Sequence, residues 1–177
     1  MLVHDRPLVY WDDGLRGWRA VAQGRKHAER AVKLNPSYPE AQNTLGQALA
    51  HPGEYADSEK HFNKAIELNP LDPNAFFYKD GLFFAQMELG NYETALDLIE
   101  ETISQFPKTG NRRGFKASVM GYLNKGDEAK RALDEYLELR PNLKTREDYK
   151  KIFVPNSSLA NILIEGLVKA GWEPEGG

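Results

Sequence analysis

The sequence has no cysteine, which excludes disulfides and thiolate metal sites and is compatible with a reducing compartment. It has no long apolar run either: no stretch approaches the roughly 18 residues that a helical membrane span requires. The N-terminal MLVHDRPLVYWDDG is broken by His4, Asp5 and Arg6, which makes it a poor signal peptide. Charge of one sign is also missing. Twenty-three basic residues against 26 acidic ones leave a formal charge of −3, too little to favour nucleic acid or an anionic membrane. Together these absences predict a cytoplasmic protein without nucleic-acid or membrane partners. What remains is ordinary globular material, 41% hydrophobic and 28% charged over 177 residues, enough for one compact domain or a short solenoid with a real core.

The chain repeats itself. Pro36, Pro70, Pro107 and Pro141 stand at spacings of 34, 37 and 34, each closing a segment that reads as a helix, which proline cannot continue. Counting back from them gives columns in register: Gly24, Ser58, Ala95 and Ala129, all small; Ala28, Phe62, Ile99 and Leu133, all apolar; Ala31, Ala65, Thr102 and Tyr136; and Leu34, Leu68, Gln105 and Leu139. The offsets of 4, 3 and 3 place the columns on one helical stripe. The small leading residue predicts a close crossing of two helices.

Each unit also carries an upstream helix. In the first complete unit the spacing predicts it over Pro39–Ala50, followed by a turn at His51-Pro52-Gly53 and a second helix opening at Tyr55. The second unit has three extra residues, placed at the start of its first helix near Pro73. The third begins near Asn111, and its turn at Gly126-Asp127-Glu128-Ala129 reads as two residues shorter than its counterparts. Gln42-x₂-Leu45-Gly46-x₂-Leu49, then Ser58-x₃-Phe62-x₂-Ala65 and Pro70, resembles the tetratricopeptide repeat (TPR), with the aromatic positions of its first helix weakened.

The resemblance implies an all-α, TPR-type solenoid of antiparallel helical hairpins, with about three full repeats, a half repeat and a C-terminal cap. The expected division is an N-terminal segment 1–16, a repeat array 17–141 (17–36, 37–72, 73–107, 108–141) and capping helices with a tail over 142–177. In the half repeat Trp18–Leu34 reads as a second helix without a clear partner, its apolar face covered by Val9, Tyr10, Trp11 and Trp18. In the tail, Thr145 and Asp148 predict a capping box for a short helix. A last helix from Ser157 or Ser158 presents Leu159, Ile162, Leu163, Leu167 and Val168, and Gly171 stops it. The long middle repeat and the ending EGLVKAGWEPE resemble the C-terminal TPR regions of bacterial regulators that follow a class III adenylate or guanylate cyclase domain, or a TolB-like winged-helix regulator.

No catalytic constellation is legible, and the chain is not expected to be an enzyme or to need a cofactor. His4, His27, His51 and His61 make no i, i+4 pair and no HExxH motif. The neighbouring carboxylates Asp12-Asp13 and Glu100-Glu101 diverge on a helix surface. Lys108-Thr109-Gly110-Asn111-Arg112-Arg113-Gly114 lacks the order of a phosphate loop and reads as an inter-repeat turn. The TPR resemblance instead implies a binding groove lined by the first helices: Asn43 and Gln47; then Phe77, Asp80, Phe84 and Met87; then Arg113, Lys116 and Met120. Such a floor suits a protein or peptide with an apolar anchor and an acidic flank, in a regulatory or signalling assembly. Of the carboxylate clamp that chaperone-binding members carry, Lys116 is the best candidate. The alternative is a structural role, with the half repeat pairing against a second copy of the chain as a homo-oligomer.

Overall fold

The computed structural model describes residues 14–50, 53–70, 75–107, 111–151 and 158–176, with side chains from Gly24 onward. The expected cover of Val9, Tyr10, Trp11 and Trp18, and the turn residues His51, Pro52, Pro73 and Lys108–Gly110, lie outside what is described. The elements are helices: α1 (Gly14–Leu34), α2 (Pro39–Ala50), α3 (Tyr55–Leu68), α4 (Ala75–Leu89), α5 (Tyr92–Gln105), α6 (Asn111–Tyr122), α7 (Gly126–Leu139), α8 (Arg146–Lys150) and α9 (Ser158–Lys169). The sequence predicts the bounds of α2 and the start of α3 correctly; Asn111–Gly114, read there as part of an inter-repeat turn, form the first turn of α6. Counted back from the turn residue, α4 begins 15 positions before Gly90 and α2 begins 14 before Gly53, so α4 gains one residue at its start and not three. Two compact units divide at the start of α6, between Arg112 and Arg113.

In the unit Leu15–Arg112, α2 and α3 form one hairpin and α4 and α5 the next. The Phe62 ring is the wedge of this unit. It is buried on α3, and a Cβ built on Gly46 of α2 or on Gly81 of α4 would stand 2.9 or 2.5 Å from it. Glycine at both positions lets two helix backbones close over one aromatic ring. Ala28 packs with Leu45 and Leu49, and Ala65 with Ala75 and Tyr78. Gln42 ties α2 down at both ends of its amide: Nε2 donates to Pro36 O at 2.8 Å, and Oε1 accepts from His61 Nδ1 at 2.7 Å. Burial lowers the pKa of His61, in keeping with a neutral ring donating to an amide.

From Ser58, Phe62 and Ala65 onward the first three columns are buried as the repeat predicts, whereas in the last column Leu68 is half-buried and Gln105 exposed. Two expectations need correcting. Leu34 and Leu139 of the last column are 77% and 52% exposed, because that column falls at the helix ends beyond the crossing. Gly24 marks no close crossing among the described residues: a Cβ there would meet nothing within 4 Å.

From Arg113 onward, α6 and α7 form the third hairpin, with Gly114 of α6 seated on the Tyr136 ring of α7. The turn between them is not shortened. Asn124 takes the left-handed conformation (φ 52°) that Gly53 (φ 90°) and Gly90 (φ 75°) take in the other hairpins, a region asparagine tolerates better than other side chains. All three turns close with the same Schellman pair of hydrogen bonds: Gly53 N to Ala50 O with Glu54 N to Leu49 O, Gly90 N to Met87 O with Asn91 N to Gln86 O, and Asn124 N to Gly121 O with Lys125 N to Met120 O. Gly171 ends α9 in the same way.

The tail folds onto this third hairpin. Thr145 and Asp148 form the predicted capping box of α8, Tyr149 packs against Trp172, and Arg146 pairs with Glu165 at 2.6 Å. α9 lies on α6 in the same direction: Ser118 Oγ donates to Leu163 O at 2.9 Å, Tyr122 Oη donates to Ile162 O at 3.1 Å, and Gly121 faces Gly166 and Ala170. The buried side of α9 is Ala160, Leu163, Ile164, Gly166 and Leu167, so the face turns slightly from the expected stripe, leaving Leu159, Ile162 and Val168 half-buried.

Candidate partner-binding face

The left-handed turn residue supplies a register that composition alone does not. Measured back from Gly53, Gly90 and Asn124, three positions recur on the first helix of each hairpin: Asn43, Asp80 and Gly114; Gln47, Phe84 and Ser118; Ala50, Met87 and Gly121. Of the expected groove residues, Asn43, Gln47, Asp80, Phe84 and Met87 occupy these positions, and Phe77 lies outside them. In the third hairpin, the register runs through Gly114, Ser118 and Gly121, and Arg113, Lys116 and Met120 stand one or two positions away. Asn124 is the residue that makes this turn.

On α2, Gln47 is exposed and Asn43 half-buried, with the Asn43 Oδ1 atom itself buried and without a hydrogen-bond donor among the described residues. On α4 the chain is enclosed on every side from Tyr78 to Met87. Phe84 and Met87 are 6% and 1% exposed, so they fill the interior; Phe77, the residue immediately before the enclosed stretch, is 40% exposed. On α6, Arg113 and Lys116 are half-buried and Met120 is buried. Ser118 and Gly121 are engaged by α9, as described above.

Two charges of α4, Lys79 and Asp80, are paired within the unit Leu15–Arg112. Asp80 receives a bidentate pair of hydrogen bonds from Arg112, Nε to Oδ1 at 2.8 Å and Nη2 to Oδ2 at 2.5 Å, with both side chains buried. Burial pushes the Asp80 carboxyl above its ordinary range, and the hydrogen bond and charge of Arg112 pull against it. The guanidinium lies 4.8 Å over the Phe76 ring, which meets Phe106 edge-on at 5.4 Å. Lys79 is drawn to the opposite side of α4, donating to Glu101 at 2.7 Å and to Gln105 at 2.8 Å. Sequence reading placed Asp80 on the face but missed its partner, since Arg112 looked like part of a turn. Among the described residues, no group of three or more His, Asp or Glu side chains is placed to hold a metal, and no helix is long and apolar enough to cross a membrane.

Comparison with known proteins agrees with this architecture. Residues 19–73 match the tetratricopeptide-repeat family model. No curated protein matches the chain. Among solved structures it is similar to MamA from Desulfovibrio magneticus RS-1, residues 41 to the end (TM-score 0.65, 16% identity, 88% of this chain and 87% of that one). It is similar to YrrB, a TPR protein with an unusual peptide-binding site (TM-score 0.61, 15% identity, 89% and 81%). A thermophilic TPR protein of Thermus thermophilus is a third (TM-score 0.58, 19% identity, 88% and 84%). At these identities the likeness concerns the fold, which is all-α and of the TPR-solenoid type, an architecture suited to holding other proteins.

Proposed function

We propose that the chain is a non-catalytic interaction module that binds a peptide or partner protein on the face formed by α2 and α4. The observation that carries this reading is Phe77: a large aromatic 40% exposed on a helix whose middle is otherwise enclosed. It shares a unit with the amides of Asn43 and Gln47, on helices that pack against each other. An aromatic anchor with adaptable polar neighbours is the composition of a binding hot spot. In the third hairpin, Ser118 and Gly121 are engaged by α9 and Gly114 by Tyr136 of α7. The support for a regulatory or signalling assembly is the tail's resemblance to arrays attached to bacterial regulators.

The test is affinity capture by the full chain against Phe77→Ala and Gln47→Ala variants. A partner recovered by the wild-type chain and lost, by about tenfold, with Phe77→Ala supports the face. Circular dichroism should show unchanged helix content in both variants. Phe84→Ala is a poor probe here, since Phe84 is buried and its loss would disturb packing. A partner retained equally by all three proteins would reject the reading.

A further inference from the structure

We infer that Arg112 is a positioning residue for the Phe77 anchor: it holds the Phe76 ring, and that ring holds Phe77 in its binding orientation before a partner arrives. This rests on the proposed role of Phe77 and adds a buried residue that acts through it. Phe76, Phe77, Asp80, Phe106 and Arg112 all lie within the compact unit Leu15–Arg112, so the chain of contacts is internal to that unit.

Consecutive residues on a helix do not face each other, so the helix alone does not bring the rings of Phe76 and Phe77 together. Their centroids are nevertheless 4.0 Å apart, with the planes tilted by 39°. Phe76 is held on two further sides. Phe106, the residue that closes α5, meets it edge-on at 5.4 Å, and Arg112 Cζ lies over it, 4.8 Å from the centroid. The guanidinium is fixed in turn, because Nε and Nη2 donate to the two carboxylate oxygens of Asp80 at 2.8 and 2.5 Å. A planar guanidinium can bond a carboxylate through its edge while its face lies on a ring; a lysine ammonium has no such face. Phe77, at the end of this chain, is 40% exposed. An exposed side chain without backing changes rotamer in picoseconds to nanoseconds, and a partner must confine it on binding. Phe77 rests on a ring that is already pinned. Loss of that backing should weaken binding about two- to tenfold, although Phe77 itself is unchanged.

The experiment reads the Phe77 side chain directly in the full-length chain. By NMR, the couplings across three bonds from its backbone nitrogen and carbonyl carbon to Cγ report whether χ1 keeps one rotamer. Two variants remove the planar cation from Phe76 by different routes. Arg112→Lys keeps a positive charge opposite Asp80, and Asp80→Leu with Arg112→Met leaves no charge stranded. The wild-type chain should give the couplings of one rotamer, and both variants should give averaged values. Affinity is measured with the peptide most enriched on the wild-type chain from a random library. It should fall about tenfold with Phe77→Ala and about two- to tenfold in the two Arg112 variants. Averaged couplings in the wild-type chain, or a single rotamer kept in both variants, would overturn the positioning role and leave the face intact. Averaged couplings with undiminished affinity would overturn it as well. A peptide indifferent to Phe77→Ala would reject the face itself, and with it any part that Arg112 plays in binding.

Discussion

Arg112 illustrates how one side chain can be indispensable without adding much net stability. Its guanidinium and the Asp80 carboxylate are both buried and joined by two hydrogen bonds, so most of their attraction offsets the desolvation of two charges. Removing only the cation is different, because the carboxylate stays behind. Arg112→Ala should cost about 3–5 kcal/mol in urea unfolding, whereas the double variant Asp80→Leu with Arg112→Met should recover most of it. Equal losses in the two proteins would show that packing against Phe76, not the stranded charge, is what matters. Asp148 is the opposite case, on the surface. Hydrogen bonds from Lys151 and from Thr145 hold its carboxyl well below the ordinary value of 3.8. A carboxyl with a depressed pKa contributes stability that is present above the unfolded value and is lost as pH falls below it. The amides of Asp148 and Tyr149 should therefore keep a constant protection factor at neutral pH and lose it below about pH 4. In Asp148→Asn that dependence should vanish. A wild-type cap that already loosens near pH 6 would contradict the assignment.

At the scale of elements, the repeat was legible because hydrophobic spacing and proline act locally. The bounds of α2 and the capping box of α8 follow from residues a few positions apart in sequence. What was not legible depends on the backbone or on distant partners. Asn124 carries no hydrophobic signal, yet its left-handed φ fixes the register of the third hairpin, which runs through Gly114, Ser118 and Gly121. The enclosure of Phe84 and Met87 is tertiary, and so is the pairing of Asp80 with a residue 32 positions away. The glycines separate the two kinds of information. Gly24 looked like a crossing residue by column, but a Cβ there meets nothing within 4 Å, so Gly24→Ala should stabilise the chain by about 0.5–1 kcal/mol through helix propensity. Gly166 had no column at all. A Cβ on it would stand 2.1 Å from Ser118 Oγ and 2.5 Å from Ser118 O, and Gly166→Ala should cost about 1–3 kcal/mol through overpacking. Thermal melts of the two single variants should move in opposite directions; a destabilised Gly24→Ala chain would mean that α1 packs more closely at this point than the described contacts allow.

For the whole molecule, the consequence is that stability should be local. In a repeat array each element touches its neighbours and little else, so a perturbation is felt mainly where it is made. The contacts of α9 run to α6 and α8, through Ser118, Gly121 and Tyr122 on α6 and Arg146 on α8, and Lys130 of α7 lies beside Gly171 just after α9. Every one of these residues lies from Arg113 onward, in one compact unit. Phe62, Gly46, Gly81 and the Asp80–Arg112 pair lie in the other. Hydrogen exchange followed by mass spectrometry can read both at once. Gly166→Ala should speed exchange in α7, α9 and the part of α6 around Ser118, while peptides of α2 to α5 keep their wild-type rates. Arg112→Ala should do the reverse, loosening α4 and α5 and sparing α9. If each variant instead accelerated exchange equally along the whole chain, the two units would be unfolding as one cooperative body, and a ligand held on α2 and α4 would stabilise α9 as strongly as its own face. With local stability, protection by a bound peptide should stay within Leu15–Arg112, which makes the exchange pattern an independent check on where the partner sits.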